Sequence, residues 1–140
     1  MQAAVIPQRK RLLDLAGEWQ GSGTMAVAGG SFPLTVHWSC KPNVTGYGLL
    51  CEVHIAGVPG MEHFVDVEQF GYDDADQQIH AGTVCNSGEA HHLSGAWAGD
   101  VLTVEDDREH FEVRLISETE IAVQVLNKGG GPVFELTLQR

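Results

Sequence analysis

From residue 17 onward the chain switches between apolar and polar residues at every second position, and turn residues interrupt this pattern every eight to eleven positions. A period of two is the signature of half-buried strands, so a fold dominated by helices is excluded at once. Strands are expected at about 18–28, 32–40, 46–56, 61–72, 77–85, 89–97, 100–106, 109–116, 119–127 and 132–140. Gly29-Gly30, Pro42-Asn43, Asp73 to Asp76, Asn86-Ser87-Gly88, Asp106-Asp107 and Gly129 to Gly131 are among the turns between them, nearly all short enough for hairpins. Strands joined in this way form an antiparallel meander, and closure of a long meander removes both of its edges. The expected fold is therefore all-β: an up-and-down antiparallel barrel of about ten strands. A two-sheet sandwich normally needs longer crossings. Only residues 8–16 read as helix, with Leu12, Leu13, Leu15 and Ala16 ahead of Gly17 as a stop, and this helix is expected to cap one end of the barrel. At 140 residues and 43% hydrophobic content, the chain is expected to form one domain over 1–140 with a real core.

Parity assigns the faces. Phe32, Leu34, Val36, Trp38 and Cys40 share one face, and Tyr47, Leu49, Cys51, Val53 and Ile55 another. His37 and His54 oppose these sets and are expected to face solvent, as is His80. Phe111, Val113 and Leu115 point inward in the eighth strand, and Phe134, Leu136 and Leu138 in the tenth. In the fourth strand Met61, His63, Val65 and Val67 alternate with Glu62, Asp66 and Glu68. Placing the acidic set outside turns His63 inward.

The formal charge of −11 becomes −13 once residues 1–16, with Arg9, Lys10, Arg11 and Asp14, are left out. Such a body repels phosphate backbones, so no nucleic-acid partner is expected. No run approaches the roughly 20 apolar residues of a helical membrane span. Cys40, Cys51 and Cys85 match no zinc spacing and cannot all pair within one chain. The simplest reading is free thiols in a reducing compartment, and Ala3 to Pro7 is too short for a signal-peptide core, so a cytoplasmic location is expected. The oligomeric state stays open, a homodimer included.

Gly17-Glu18-Trp19-Gln20-Gly21-Ser22-Gly23, directly after the short helix, resembles the Gly-x-Trp entry of the calycin superfamily, the lipocalins and fatty-acid-binding proteins. Its extended Gly-x-Trp-x-Gly-x-Gly form is similar to that of the haem-binding nitrobindins. Phe70-Gly71-Tyr72-Asp73, Gly88 and Gly95-Ala96-Trp97-Ala98-Gly99-Asp100 resemble small uncharacterised bacterial lipocalin-like proteins. The resemblance covers most of residues 10–140. It implies a barrel with an internal cavity and Trp19 as a plug at the closed end, and it supplies no catalytic set. In nitrobindins the axial histidine comes from the C-terminal part of the chain. Here the last histidine is His110, a departure that weighs against haem.

Seven histidines raise the question of metal, but neither His-x-x-x-His on a helix nor Cys-x-x-Cys is present, and no cofactor is expected. His63 and one of His91 or His92 are candidates to converge inside, with Cys51 and Cys85 nearby. No nucleophile elbow occurs. Asp73, Asp74 and Asp76 read as a solvated hairpin turn. What remains is the interior. Trp38, Tyr47, Met61, Trp97, Phe111 and Phe134 are expected to line a cavity, with Cys51, His63, Thr83 and Cys85 among them as residues able to orient a ligand. The expected function is non-covalent binding of a small apolar or aromatic molecule. An enzyme with a cavity histidine as acid/base and a haem protein are the alternatives, and a barrel packed solid is the bland one. Only Arg108, Arg114 and Arg140 lie beyond the basic cluster, and Arg114 opposes Phe111 and Val113 by parity, so a fatty-acid carboxylate is disfavoured.

Overall fold

The computed structural model describes residues 5–140, so the first part of the Ala3–Pro7 stretch lies outside the described residues. A helix α1 (Val5–Leu13) leads into ten strands: β1 (Gly17–Val27), β2 (Gly30–Asn43), β3 (Gly48–Ala56), β4 (Phe64–Asp73), β5 (Gln78–Cys85), β6 (Ala90–Ala98), β7 (Val101–Glu105), β8 (Glu109–Leu115), β9 (Glu120–Asn127) and β10 (Val133–Gln139). Each strand pairs antiparallel with its sequence neighbours, and β1 pairs with β10 to close the barrel. This is the meander expected from the two-residue period. No helix among the described residues is long and apolar enough to cross a membrane.

The helix begins earlier than the leucines alone suggest. Its last turn tightens as the amides of Asp14, Leu15 and Ala16 donate to the carbonyls of Arg11, Leu12 and Leu13. Gly17 then takes a positive φ of 138° that turns the chain into β1. Leu12 and Leu15 are buried, and Gln8 clamps the end of β6 by accepting from the Trp97 amide at 3.0 Å and donating to its carbonyl at 3.2 Å. The helix therefore covers one end of the barrel. Trp19 fills that end. It is fully buried, donates from Nε1 to the Leu15 carbonyl at 2.9 Å, and lies under the Arg140 guanidinium at 4.5 Å. A Cβ on Gly21 would overlap the Thr137 carbonyl of β10, so glycine here is what lets β1 and β10 meet.

Two expectations fail at the level of register. Cys40 and Cys51 are not free thiols: they are directly opposed on β2 and β3, Cα atoms 4.1 Å apart, and form a disulfide inside the barrel. The expected turn at Pro42-Asn43 would have paired other residues. The actual β2 strand runs on to Asn43 and reverses through Val44 to Tyr47, which brings the two cysteines level. The argument from free thiols to a reducing compartment therefore falls, leaving Cys85 as the free thiol.

The second failure is β4, whose faces are inverted. Phe64, Asp66, Glu68, Phe70 and Tyr72 turn inward, while Val67 is 41% exposed. Residues 58–63 form a loop, so Met61 and His63 lie outside the strand and carry no information on its parity. The large rings of Phe70 and Tyr72 set the face. Two carboxylates share it.

Candidate functional site

At the barrel end away from α1, the inward faces of β3–β6 and β8–β10 enclose a cavity of about 100 Å³. Its walls are Phe64, Phe70, Phe111 and Phe134 together with Ile55, Leu93, Val125 and Leu136. Phe70 and Phe111 pack with centroids 6.2 Å apart, and Trp38 meets Phe111 edge-on at 6.5 Å. The polar lining is mostly acidic: Asp66 and Glu68 from β4, Glu89 from the β5–β6 turn and Glu109 from the start of β8.

Glu68 is the one charged-type residue in the core, only 5% exposed. Its Oε1 accepts from Trp38 Nε1 at 2.8 Å. Burial, then the neighbouring Asp66 carboxylate, pushes its pKa well above the usual range despite that hydrogen bond. Asp66 is raised to about 6, first by burial and also by Glu109; hydrogen bonding from Glu68 and the His91 charge oppose the rise. The two carboxyls thus act as a pair in which Glu68 keeps the proton and Asp66 titrates first. Asp66 Oδ1 is itself buried and has no hydrogen-bond partner. Glu109 is also raised, again chiefly by burial.

His91 stands at the rim, its side chain 7% exposed and ringed by carboxylates. Glu89 lies at 3.6 Å, Asp106 at 3.5 Å and Glu109 at 4.0 Å. The Arg108 guanidinium approaches its Nδ1 to 3.3 Å and donates to the Ala90 carbonyl. Burial alone would raise Asp106, but the amides of Arg108 and Glu109, together with His91, hold its pKa low. Among the lining residues His91 is the only group able to carry positive charge.

The residues expected at the site divide into three groups. Thr83, Cys85, Phe111 and Phe134 line the cavity, and Trp38 reaches it through its bond to Glu68. Cys51 is tied up in the disulfide, and Trp97 points inward but sits at the opposite end, beneath Arg11. Met61 packs on the core from the loop without lining the cavity. Tyr47 and His63 are corrections. Tyr47 is 56% exposed and stacks under Arg9, because it belongs to the turn after β2 and not to β3. His63 is on the outside, with Nε2 2.8 Å from His54 Nδ1. His91 and His92 likewise part: His91 turns in, whereas His92 meets His80 outside at 2.9 Å. No inward histidine pair is formed.

Sequence reasoning missed Asp66, Glu68, Glu89 and Glu109; His91 it offered only as one of a pair with His92. The signal was the shared parity of Asp66 and Glu68 with Phe70 and Tyr72, overridden by the rule that carboxylates face water. Outside the cavity, ligand atoms of Asp73, Asp76 and His80 lie within 4.8 Å of one another on the surface. The aspartates there accept the amides of Ala75 and Gln78, which accounts for them as turn-forming groups.

Haem does not fit this interior. A macrocycle needs a pocket in the range of about 300–1,000 Å³ typical of large ligands, several times the roughly 100 Å³ found here.

The sequence matches no protein-family profile and no curated protein. Solved structures do resemble it. Rv2717c from M. tuberculosis aligns with a TM-score of 0.70 at 14% identity, over 94% of this chain and 95% of that one. A redesigned β-barrel, mFAP0, bound to DFHBI, aligns with a TM-score of 0.57 at 13% identity, over 91% of this chain and 99% of that one. A second redesigned barrel, b11L5F_LGL, has a TM-score of 0.52 at 15% identity, over 95% and 94%. At these identities the likeness concerns the fold alone.

Proposed function

We propose that this chain is a calycin-like barrel that binds a small molecule non-covalently in the cavity at its uncapped end. The observation that carries the reading is the Phe-lined cavity of about 100 Å³, which opens at one end of a barrel otherwise filled by Trp19 and its neighbours. Apolar walls with a few convergent polar groups are what small-ligand sites are made of. The redesigned barrel mFAP0 holds DFHBI on a related fold, which supports such a use of the architecture. The size limits the occupant: an apolar cavity of about 150 Å³ holds benzene, so the ligand's buried part is one small ring or a branched chain of a few carbons.

The test is an NMR titration with isobutanol, reading the Trp38 indole N–H, which reports on the cavity through its bond to Glu68. A saturable shift of that resonance, lost in Phe111→Trp where the larger ring fills the space, is expected. A resonance that does not move at any concentration the protein tolerates would overturn the reading.

A further inference from the structure

The cavity's charge is one-sided. Four phenylalanines form its walls, and carboxyl groups from β4, the β5–β6 turn and β8 point into the same space. Glu68 is more than nine-tenths buried yet lines it. Trp38 satisfies one of its oxygens. Asp66 Oδ1 is a buried acceptor with no donor among the described residues. No lysine or arginine lines the space. Aromatic faces attract cations through their quadrupole, and a carboxylate in a low-dielectric pocket attracts them far more strongly than one in water. An anion meets the opposite on both counts.

Resting on the proposed cavity binding, we infer that the ligand is a small protonated amine, its ammonium group at Asp66 and Glu68 and its apolar body against the phenylalanines. The ammonium supplies the donor that Asp66 Oδ1 lacks, and its charge favours ionisation of Glu68. Binding therefore releases a proton from the pair to solvent, so that an N–H⁺ replaces the shared O–H. Charges facing Asp66 come from every neighbouring element: Glu68 on its own strand, Glu109 on β8, and His91 on β6. Cys85 on β5 stands opposite it in register. His91 stands at the rim within 3.5–4.0 Å of Glu89, Asp106 and Glu109. Affinity consequently falls as pH falls, because Asp66 gains its proton near pH 6.

Three probes of one shape and different charge decide the matter: isobutylammonium, isobutanol and isobutyrate, titrated calorimetrically into the full chain. At pH 7.5 the ammonium is expected to bind at least tenfold tighter than the alcohol, and isobutyrate not measurably. Its apparent heat should depend on the buffer's ionisation heat, as proton release requires. Its affinity should drop at least tenfold between pH 7.5 and pH 5 while that of the alcohol stays within twofold. In Asp66→Asn with Glu68→Gln the gap between ammonium and alcohol should close to less than threefold. Alcohol binding without any preference for the ammonium would overturn the amine inference and leave the cavity reading standing. Binding of none of the three would overturn both. Should the double variant not fold, the buffer and pH dependence of the wild-type chain decide alone.

Discussion

The two ends of the barrel handle charge in opposite ways. At the helix-capped end three guanidinium groups lie over three aromatic rings: Arg9 over Tyr47, Arg11 over Trp97 and Arg140 over Trp19. Each cation also has polar partners. Arg9 meets Asp74 at 3.1 Å and Arg11 pairs with Asp100, while Arg140 donates to the carbonyls of Asp14, Ala16 and Glu118. Each guanidinium therefore has an ionic or carbonyl partner, although Arg9 Nε and Arg11 Nε are buried without a hydrogen-bond partner of their own. At the uncapped end Glu68, Asp66 and Glu109 are carboxyls drawn away from water, with Trp38 and one rim histidine as compensation. Burial of unpaired carboxyls works against folding, whereas burial of Trp19 works for it. The contrast separates the end that stabilises the barrel from the end that has chemistry to offer.

Trp19 offers the strongest test of this division. Its removal in Trp19→Ala leaves a hole that α1 cannot fill, and a loss of about 3–5 kcal/mol is expected by urea unfolding. A loss below about 1 kcal/mol would mean that the capped end is not where stability resides.

The disulfide comes next. Cys40 lies opposite Gly17 and Cys51 opposite Glu68, so the bond sits between the two ends. Its sequence separation of eleven corresponds to about 2–3 kcal/mol in the chain-entropy account. The unfolding free energy should fall by that amount in Cys40→Ala with Cys51→Ala, read from urea unfolding. If wild-type protein unfolds at the same urea concentration with and without reductant, the bond contributes nothing.

The uncapped end should respond to mutation in the other direction. Asp66 is raised from 3.8 to about 6, so between these values the folded chain holds a proton that the unfolded chain has released. Its contribution therefore favours folding as pH falls through about 6 and opposes folding at neutral pH. Asp66→Asn is expected to stabilise the barrel by up to ~3 kcal/mol at pH 7.5, at about 1.36 kcal/mol per pKa unit, and to change little near pH 4. Destabilisation at pH 7.5 would show that Asp66 is ionised and satisfied, and the contrast between the ends would collapse.

The smallest effect is expected at the surface pair. Arg9→Ala removes a cation from over Tyr47 and a bond to exposed Asp74, together about 0.5–1 kcal/mol. Its dependence on salt distinguishes it from Trp19, whose contribution is apolar and should be insensitive to ionic strength up to about 0.5 M.

All ten strands were legible because a half-buried strand must alternate, and short turns leave a meander few other topologies. Trp19 was legible too, since a large ring beside glycines at the start of a first strand has few places to go. The site was not. Alternation gives two faces but not their labels, and in β4 the label depended on whether Val65 and Val67 or Phe64 and Phe70 turned inward. Likewise the Cys40–Cys51 bond depended on whether β2 ended at residue 40 or ran to Asn43, a shift of a few residues that hairpin chemistry leaves free. What the sequence determined by itself was therefore the class of fold, its closure and its capped end, each carried by local pattern. Only the tertiary structure decided which face of β4 was buried, because that choice rests on the combined packing of Phe70 and Phe111 and the indole of Trp38 across strands distant in sequence. Those rings need the interior, and the carboxyls of Asp66 and Glu68 are carried in on the same face.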